Sequence, residues 1–322
     1  MFKLIRSIVL IGMGFGVWYF FTHFRVSGLE NIKIQPRTAA PAAAASGGFV
    51  PFAPQPGKKT IRIAAANFGP LDQAKLARPQ IVQRVAQVLR QFDVVALQDI
   101  QARDRGLLVQ LVEQANAGGR RYDFAVAPQV GREPTQQYNA FVFDADTIEI
   151  DRRTVAWVDP RSAPFAHPPL VGAFRARGPS PGEAFTFALI NVQISSERTA
   201  EELALLAHVY RAVRDDGRHE DDVILLGTFR AEDDRLATLG LMPNAACAIS
   251  ATPTTTRGTR TIDNLVFDRR ATIEYAHRSG VLDLLRQFNL GPREAAEMTE
   301  HLPVWAEFSV FEGGVPGQAA GP

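Results

Sequence analysis

Few side chains in this 322-residue chain are spaced for chemistry on their own. The six histidines, His23, His167, His208, His219, His277 and His301, form no pair at metal-ligand spacing. The single cysteine, Cys247, excludes an internal disulfide framework and a cysteine-rich zinc site, and it reads as a small core residue rather than a nucleophile. There is no glycine-rich phosphate loop and no internal repeat. His208 falls on a helical segment, at its edge or surface. Asp215–Asp216 and Asp233–Asp234 have the composition of turns. What remains is a set of polar residues that follow short apolar runs: Asn67 in AAANF, Asp99 in LQDI, Gln193 in INVQIS, Thr228 and Arg230 in LLGTFRAE, Asp263 in TIDNLVFD, and Glu300 and His301 in TEHLPV. A carboxylate can ligate a hard cation, and an imidazole can carry a proton near neutrality. Arg230 stays protonated, so it cannot act as a base, but it can bind an oxyanion or pair with a carboxylate.

The chain can support a large core, since 46% of its residues are hydrophobic. Its formal net charge of +1 excludes a global electrostatic case for a polyanion partner, so any nucleic-acid binding must be local. Arg257, Arg260, Arg269 and Arg270 offer a local basic cluster; arginines scattered in loops read first as a solvated face.

Residues 1–24 contain the apolar run Ser7 to Phe24, free of acidic residues and preceded by Lys3 and Arg6, which is the pattern of a single-pass membrane anchor. A cleaved signal peptide, leaving a secreted product, fits less well, because the first small-residue stretch begins only at Thr38. The flanking charges lean towards an extracytoplasmic domain, although Arg25, Lys33 and Arg37 dilute that asymmetry. Residues 25–59, rich in Pro, Ala and Gly, read as a tether, residues 60–312 as the folded domain, and residues 313–322 as a flexible tail.

Within the domain, strands are expected at Ile61 to Ala65, Val94 to Leu97, Phe141 to Phe143, Phe185 to Val192, Val223 to Leu226, Leu265 to Phe267 and Val304 to Phe308. Two amphipathic helices stand among them. One carries Ile81, Val85, Val88, Leu89 and Phe92 on one face, the other Leu203, Leu206, Tyr210 and Val213, and each runs into a strand that starts with Asp-Val.

The segments IRIAAANF, DVVALQDI, RYDFAVAPQVGR, FALINVQIS, VILLGTFRAEDD, TIDNLVFD and TEHLPVWAEF resemble, in order and approximate spacing, the endonuclease/exonuclease/phosphatase superfamily, in particular its DNase I-like branch. The resemblance covers nearly all of the domain. It implies an α/β fold, a four-layer sandwich of two facing, mainly antiparallel sheets flanked by helices, with a site at the strand ends along one edge. It also implies metal-assisted phosphodiester or phosphomonoester hydrolysis, in which carboxylates hold a divalent ion, an aspartate steered by an asparagine activates water, and two histidines engage the phosphate and leaving group.

Carried over residue by residue, that pattern is broken. Asn67 keeps the family's asparagine, and His301 keeps the second histidine. Asp99 replaces the metal-binding glutamate with a shorter side chain, and Glu300 replaces an aspartate beside His301. Gln193 stands for the first histidine and cannot deliver a proton. Thr228 stands for the aspartate that activates water, and Arg230 for the asparagine that orients it. Asp263 matches a further family aspartate, and Thr135 and His167 fall near phosphate-facing positions. Each lost general acid or base costs about 10² to 10⁴ in rate, so the expectation is a pseudoenzyme-like module that binds a phosphate-containing ligand, a nucleic acid or a protein and needs no cofactor. The alternative is a divergent phosphodiesterase or endonuclease in which Asp99 and Glu300, with Asp263, hold Mg²⁺ or Mn²⁺. A third reading leaves Arg230 paired with Asp99 or Glu300 in a relic pocket.

Overall fold

The computed structural model describes residues 59–314 except 103, 128–136, 160, 162 and 239. The expected anchor, nearly all of the tether, Thr135 and the last eight residues lie outside the described residues. Among those described, no helix is long and apolar enough to cross a membrane.

Two six-stranded sheets face each other. The first contains β1 (Thr60–Leu71), β2 (Val94–Ile100), β3 (Tyr122–Ala125), β4 (Tyr138–Asp144), β11 (Tyr275–Val281) and β12 (Val304–Ser309), in the order β11-β12-β1-β2-β4-β3. The second contains β5 (Ile148–Trp157), β6 (Leu170–Ala176), β7 (Thr186–Gln193), β8 (Val223–Thr228), β9 (Ala245–Cys247) and β10 (Asp263–Asp268), in the order β5-β6-β7-β8-β10-β9. Each sheet has a single parallel pair, β1 with β2 and β7 with β8, and is otherwise antiparallel. A parallel neighbour requires the chain to cross back over the sheet. The crossings are made by α1 (Gln73–Leu76) with α2 (Pro79–Leu89), and by α4 (Thr199–Arg214). The remaining helices are α3 (Gly106–Asn116), α5 (Asp233–Thr238), α6 (Leu284–Phe288) and α7 (Pro292–Met298).

Alternation along the central strands divides the apolar residues among three cores. In β1, Ile61, Ile63 and Ala65 face the second sheet, while Ala64, Ala66 and Phe68 face α2 and α3. Val223 and Leu225 of β8 face α4, and Ile224 and Leu226 face inward. Phenylalanines fill the space between the sheets: Phe174 packs edge-on to Phe141 across the gap at 5.1 Å, and Phe185 stacks on Phe308 at 6.0 Å. The result is the expected four-layer sandwich.

All seven expected strands are present, and both helices run through Asp93-Val94 and Asp222-Val223 into the next strand. Strands β3, β5, β6, β9 and β11 and helix α3 were not expected. Most of these strands lie towards sheet edges, where one face meets solvent and the apolar signal thins. Two smaller expectations change. Asp233 and Asp234 open α5 rather than mark a turn, and the fold continues past residue 312, because the Gly313 N–H donates to Glu274 Oε1 at 2.6 Å.

The close parallel approach of β7 and β8 requires Gly227. Its φ is 136°, and a Cβ there would lie 2.1 Å from the carbonyl oxygen of Val192. Gly227→Ala is expected to destabilise the domain by roughly 2–4 kcal/mol through strain and forced strand separation, measured as a lower urea midpoint at unchanged m-value.

Candidate functional site

The register brings the sequence-predicted residues to one end of the sandwich. In the second sheet Gln193 pairs with Thr228 and Thr228 with Asp263, while in the first Asn67 pairs with Gln98, beside Asp99. His301 precedes β12, which enters next to the same end of β1.

Hydrogen bonds join the sheets here. Asn67 Nδ2 donates to Thr228 Oγ1 at 3.2 Å, and the Thr228 hydroxyl donates to Asp263 Oδ1 at 2.7 Å. The Asp99 N–H donates to Gln193 Oε1 at 3.1 Å. Behind them Gln98 Nε2 donates to Asn191 Oδ1 at 2.7 Å, and Asn191 Nδ2 returns to the carbonyls of Leu97 and Ala140, each at 3.0 Å. Buried polar groups need such partners, and this set forms the floor of the site. Thr228 is 0% exposed, so the position that the resemblance assigns to a water-activating aspartate is sealed and holds a hydroxyl that already donates. Gln193 likewise has a structural task, accepting from the backbone of Asp99.

His301 Nδ1 sits 2.9 Å from both carboxylate oxygens of Asp263, which fixes the ring and leaves Nε2 as its outward nitrogen. Asp263 is held in turn by the Thr254 hydroxyl at 3.0 Å, and the Thr299 hydroxyl bridges the Asn67 carbonyl at 2.5 Å and the His301 N–H at 2.9 Å. Neither threonine is distinguishable in sequence from any loop threonine.

Asp99 and Arg230 both adopt the left-handed backbone region, with φ of 57° and 56°. This conformation is uncommon for residues with a Cβ and costs on the order of 1–3 kcal/mol, and it turns both side chains at the strand ends. Asp99 Oδ1 accepts from Gln101 Nε2 at 2.9 Å and Gln137 Nε2 at 2.7 Å. Its carboxylate lies against Gly69, where a Cβ would come within 2.2 Å of Oδ2 and 2.6 Å of Asn67 Oδ1. The Lys75 ammonium donates to the carbonyls of Phe68, of Gly69 at 3.0 Å and of Met298 at 3.0 Å, tying this turn to α7. Burial pulls the Lys75 pKa below its ordinary value, against the opposing pull of Asp72 and Asp99. Sequence reasoning missed Lys75 because its partners are backbone carbonyls.

The relic ion pair is overturned. Among the described residues Arg230 makes no ion pair; its Nε donates to the Ile194 carbonyl at 2.9 Å, and its charge bears on His167. Glu300 does not join the site either: its side chain is 73% exposed and faces Arg257 at 3.9 Å. The expected metal pair of Asp99 and Glu300 is therefore not assembled, and the groups of three potential ligands among the described residues lie elsewhere. Asp99 is already engaged by two amides, Asp263 by His301 and two hydroxyls, and Arg230 adds positive charge, so this donor set does not fit a divalent ion.

His167 lies within electrostatic reach of Asp99 and Arg230. Burial pushes its pKa below the ordinary value, with Glu202 and Asp99 pulling upward and Arg230 downward. Glu202, itself 0% exposed, holds this loop by accepting from the N–H groups of Ala166 and Ser195, both at 2.8 Å. A signal for Glu202 existed, since it lies on the buried α4 stripe four residues before Leu206. Elsewhere, burial pushes the Cys247 thiol up to about 12, which disfavours thiolate chemistry there. The four arginines do not form one patch: Arg257 and Arg260 precede β10, and Arg269 and Arg270 follow it, roughly 20 Å away along the strand.

No family model matches the chain. Deoxyribonuclease-1-like 1 of Sus scrofa is 25% identical over 266 residues, covering 79% of this chain and 82% of that protein. Deoxyribonuclease gamma of Rattus norvegicus is 22% identical over 268 residues, covering 77% and 84%. Truncated TDP2 of Caenorhabditis elegans superposes with a TM-score of 0.53 at 12% identity, covering 78% of this chain and 98% of that one. The endonuclease/exonuclease/phosphatase of Bacteroides vulgatus gives 0.52 at 15%, covering 79% and 100%. The chain is thus similar in sequence to DNase I-like deoxyribonucleases and has the α/β-sandwich fold of the endonuclease/exonuclease/phosphatase structures. Within this DNase I-like frame, Thr228 is sealed and Arg230 makes no ion pair among the described residues.

Because His167 favours its neutral form when folded, the unfolded chain takes up a proton first as pH falls through about 6.5; stability present above that pH is lost below it. His167→Gln is expected to flatten the fall in Tm between pH 7 and pH 5 relative to the parent protein, as read by calorimetry.

Proposed function

We propose that this protein is a membrane-tethered DNase I-like module that binds a phosphate-containing ligand at the strand-end site without hydrolysing it by the superfamily's usual reaction. The observation that carries this reading is Arg230, a permanent cation at the edge of the site with no acidic partner among the described residues. Its fork of donors suits a phosphate oxygen, and His301 Nε2 and His167 supply neighbouring hydrogen-bonding groups. The impaired reaction follows from Thr228, which is buried and has no basic lone pair to take a proton from water, and from Gln193, whose oxygen is committed to the Asp99 N–H. The tether rests on Ser7 to Phe24, long enough and apolar enough for a span, with the domain on the extracytoplasmic side.

A second reading, a divergent phosphodiesterase or nuclease using Mg²⁺ or Mn²⁺, draws on the retained Asp263–His301 pair and on Asp99 beside Asn67. One experiment separates the two. Titration calorimetry with inorganic phosphate and a short oligonucleotide is expected to detect binding that Arg230→Ala weakens about tenfold or more, given roughly 1.5–3 kcal/mol for hydrogen bonds to a charged group. Plasmid DNA with Mg²⁺ or Mn²⁺ is expected to stay intact. Metal-dependent cleavage abolished by Asp99→Ala would establish the second reading and discard the first.

A further inference from the structure

At the opposite end of the sandwich, about 20 Å along β8 from Thr228, a second set of acidic side chains converges. Asp222 immediately precedes β8, Glu274 immediately precedes β11, and Glu312 lies in the turn after β12. One carboxylate oxygen from each lies within 4.8 Å of the others. Asp222 and Glu274 are each only 2% exposed; Asp222 Oδ1 and Glu274 Oε2 are buried there with no donor group among the described residues, and the two carboxyls stand close enough to share a proton. The Thr272 hydroxyl, also buried, lies close to Asp222 without completing a well-formed hydrogen bond.

Two of the other oxygens are held by backbone groups: Glu274 Oε1 accepts from the Gly313 N–H at 2.6 Å, and Glu312 Oε2 from the Thr186 N–H at 3.1 Å. Glu220 and Asp221 add further carboxylates beside Asp222. No Lys, Arg or His pairs with this cluster among the described residues, and Lys59, whose carbonyl accepts from Val310 here, is exposed. Several buried carboxylates that face one another without a cation are costly, and the orphaned oxygens mark where a countercharge is missing.

We propose that Asp222, Glu274 and Glu312, with the Thr272 hydroxyl, form a structural Ca²⁺ site that pins the start of β8, the start of β11 and the C-terminal turn together. The donors are all hard oxygens on three separate segments. Ca²⁺ accepts irregular sets of six to eight such oxygens, whereas Mg²⁺ demands a tighter octahedron and keeps its waters, which this buried position restricts. The site shares no residue with the strand-end site, and it requires neither hydrolysis nor phosphate binding. Protons are the competing countercharge, since burial pushes the Asp222 and Glu274 carboxyls upward.

The test is thermal unfolding of the full chain at pH 7.5 in EDTA and in a CaCl₂ series, with MgCl₂ in parallel. Saturating Ca²⁺ is expected to raise Tm by at least about 3 °C, and Mg²⁺ by less. Asp222→Asn and Glu274→Gln should each abolish the rise, and Asp99→Asn should keep it. Calorimetric titration of the parent protein with CaCl₂ provides an independent readout should either variant fail to fold, with one tight site expected per chain. Absence of Ca²⁺ binding by the parent protein, or an equal Tm rise in Asp222→Asn, would overturn the site and leave protons as the neutralising species.

Discussion

The hydrogen-bonded floor between the two sheets is the constraint on which the strand-end site depends. Asn67 to Thr228, Asp99 to Gln193 and Gln98 to Asn191 are three side-chain ties across the sandwich, placed where the inter-sheet phenylalanine packing gives way to polar residues. Apolar packing sets how far apart the sheets lie but is not directional. Hydrogen bonds are directional, so these ties fix how the strand ends stand opposite one another. Had any of these amides been left without a partner, it would cost roughly 1–3 kcal/mol, which makes the floor sensitive to single changes.

This constraint gives the residues at the strand ends structural tasks of their own. Thr228 joins Asn67 on one side to Asp263 on the other, doing with one hydroxyl what a neutral linker between an amide and a carboxylate must do. An aspartate at 228 would set two carboxylates against each other unless a cation or proton intervened. Gln193 accepts a backbone N–H that a histidine could satisfy in only one tautomer. Thr228 and Gln193 thus complete a network of hydrogen bonds between the two sheets. Arg230 is the exception, since among the described residues its guanidinium makes one hydrogen bond, from Nε to the Ile194 carbonyl.

The two ends of the sandwich solve the charge problem differently. At the strand-end site Asp99 and Asp263 are satisfied by amides, hydroxyls and an imidazole, while at the far end Asp222 and Glu274 are buried with orphaned oxygens. Central strands β1, β8, β10 and β12 run between these ends, so both clusters bear on the same packed elements. The ends are nonetheless chemically independent.

The sequence alone determined the central architecture and the chemical character of the site. Fully buried strands such as Val94–Ile100 and Val223–Thr228 are dense in apolar residues, and a helix like Pro79–Leu89 repeats its apolar face every three to four positions, so local composition suffices for both. The same holds for the absence of a basic group at Thr228 and the fixed charge of Arg230, which are properties of residue type. Local pattern did not reveal edge strands such as Ile148–Trp157, whose pairing partner is supplied by the sheet. Only the tertiary structure decided which charges meet. It turned Glu300 outward to Arg257, left Arg230 without the expected partner, placed Lys75 on three carbonyls, and gathered Asp222, Glu274 and Glu312 from segments far apart in the chain. Residue type carries charge and proton affinity, but the distance and burial that decide a charge's partner are set by strand register and backbone angles that no short stretch of sequence contains.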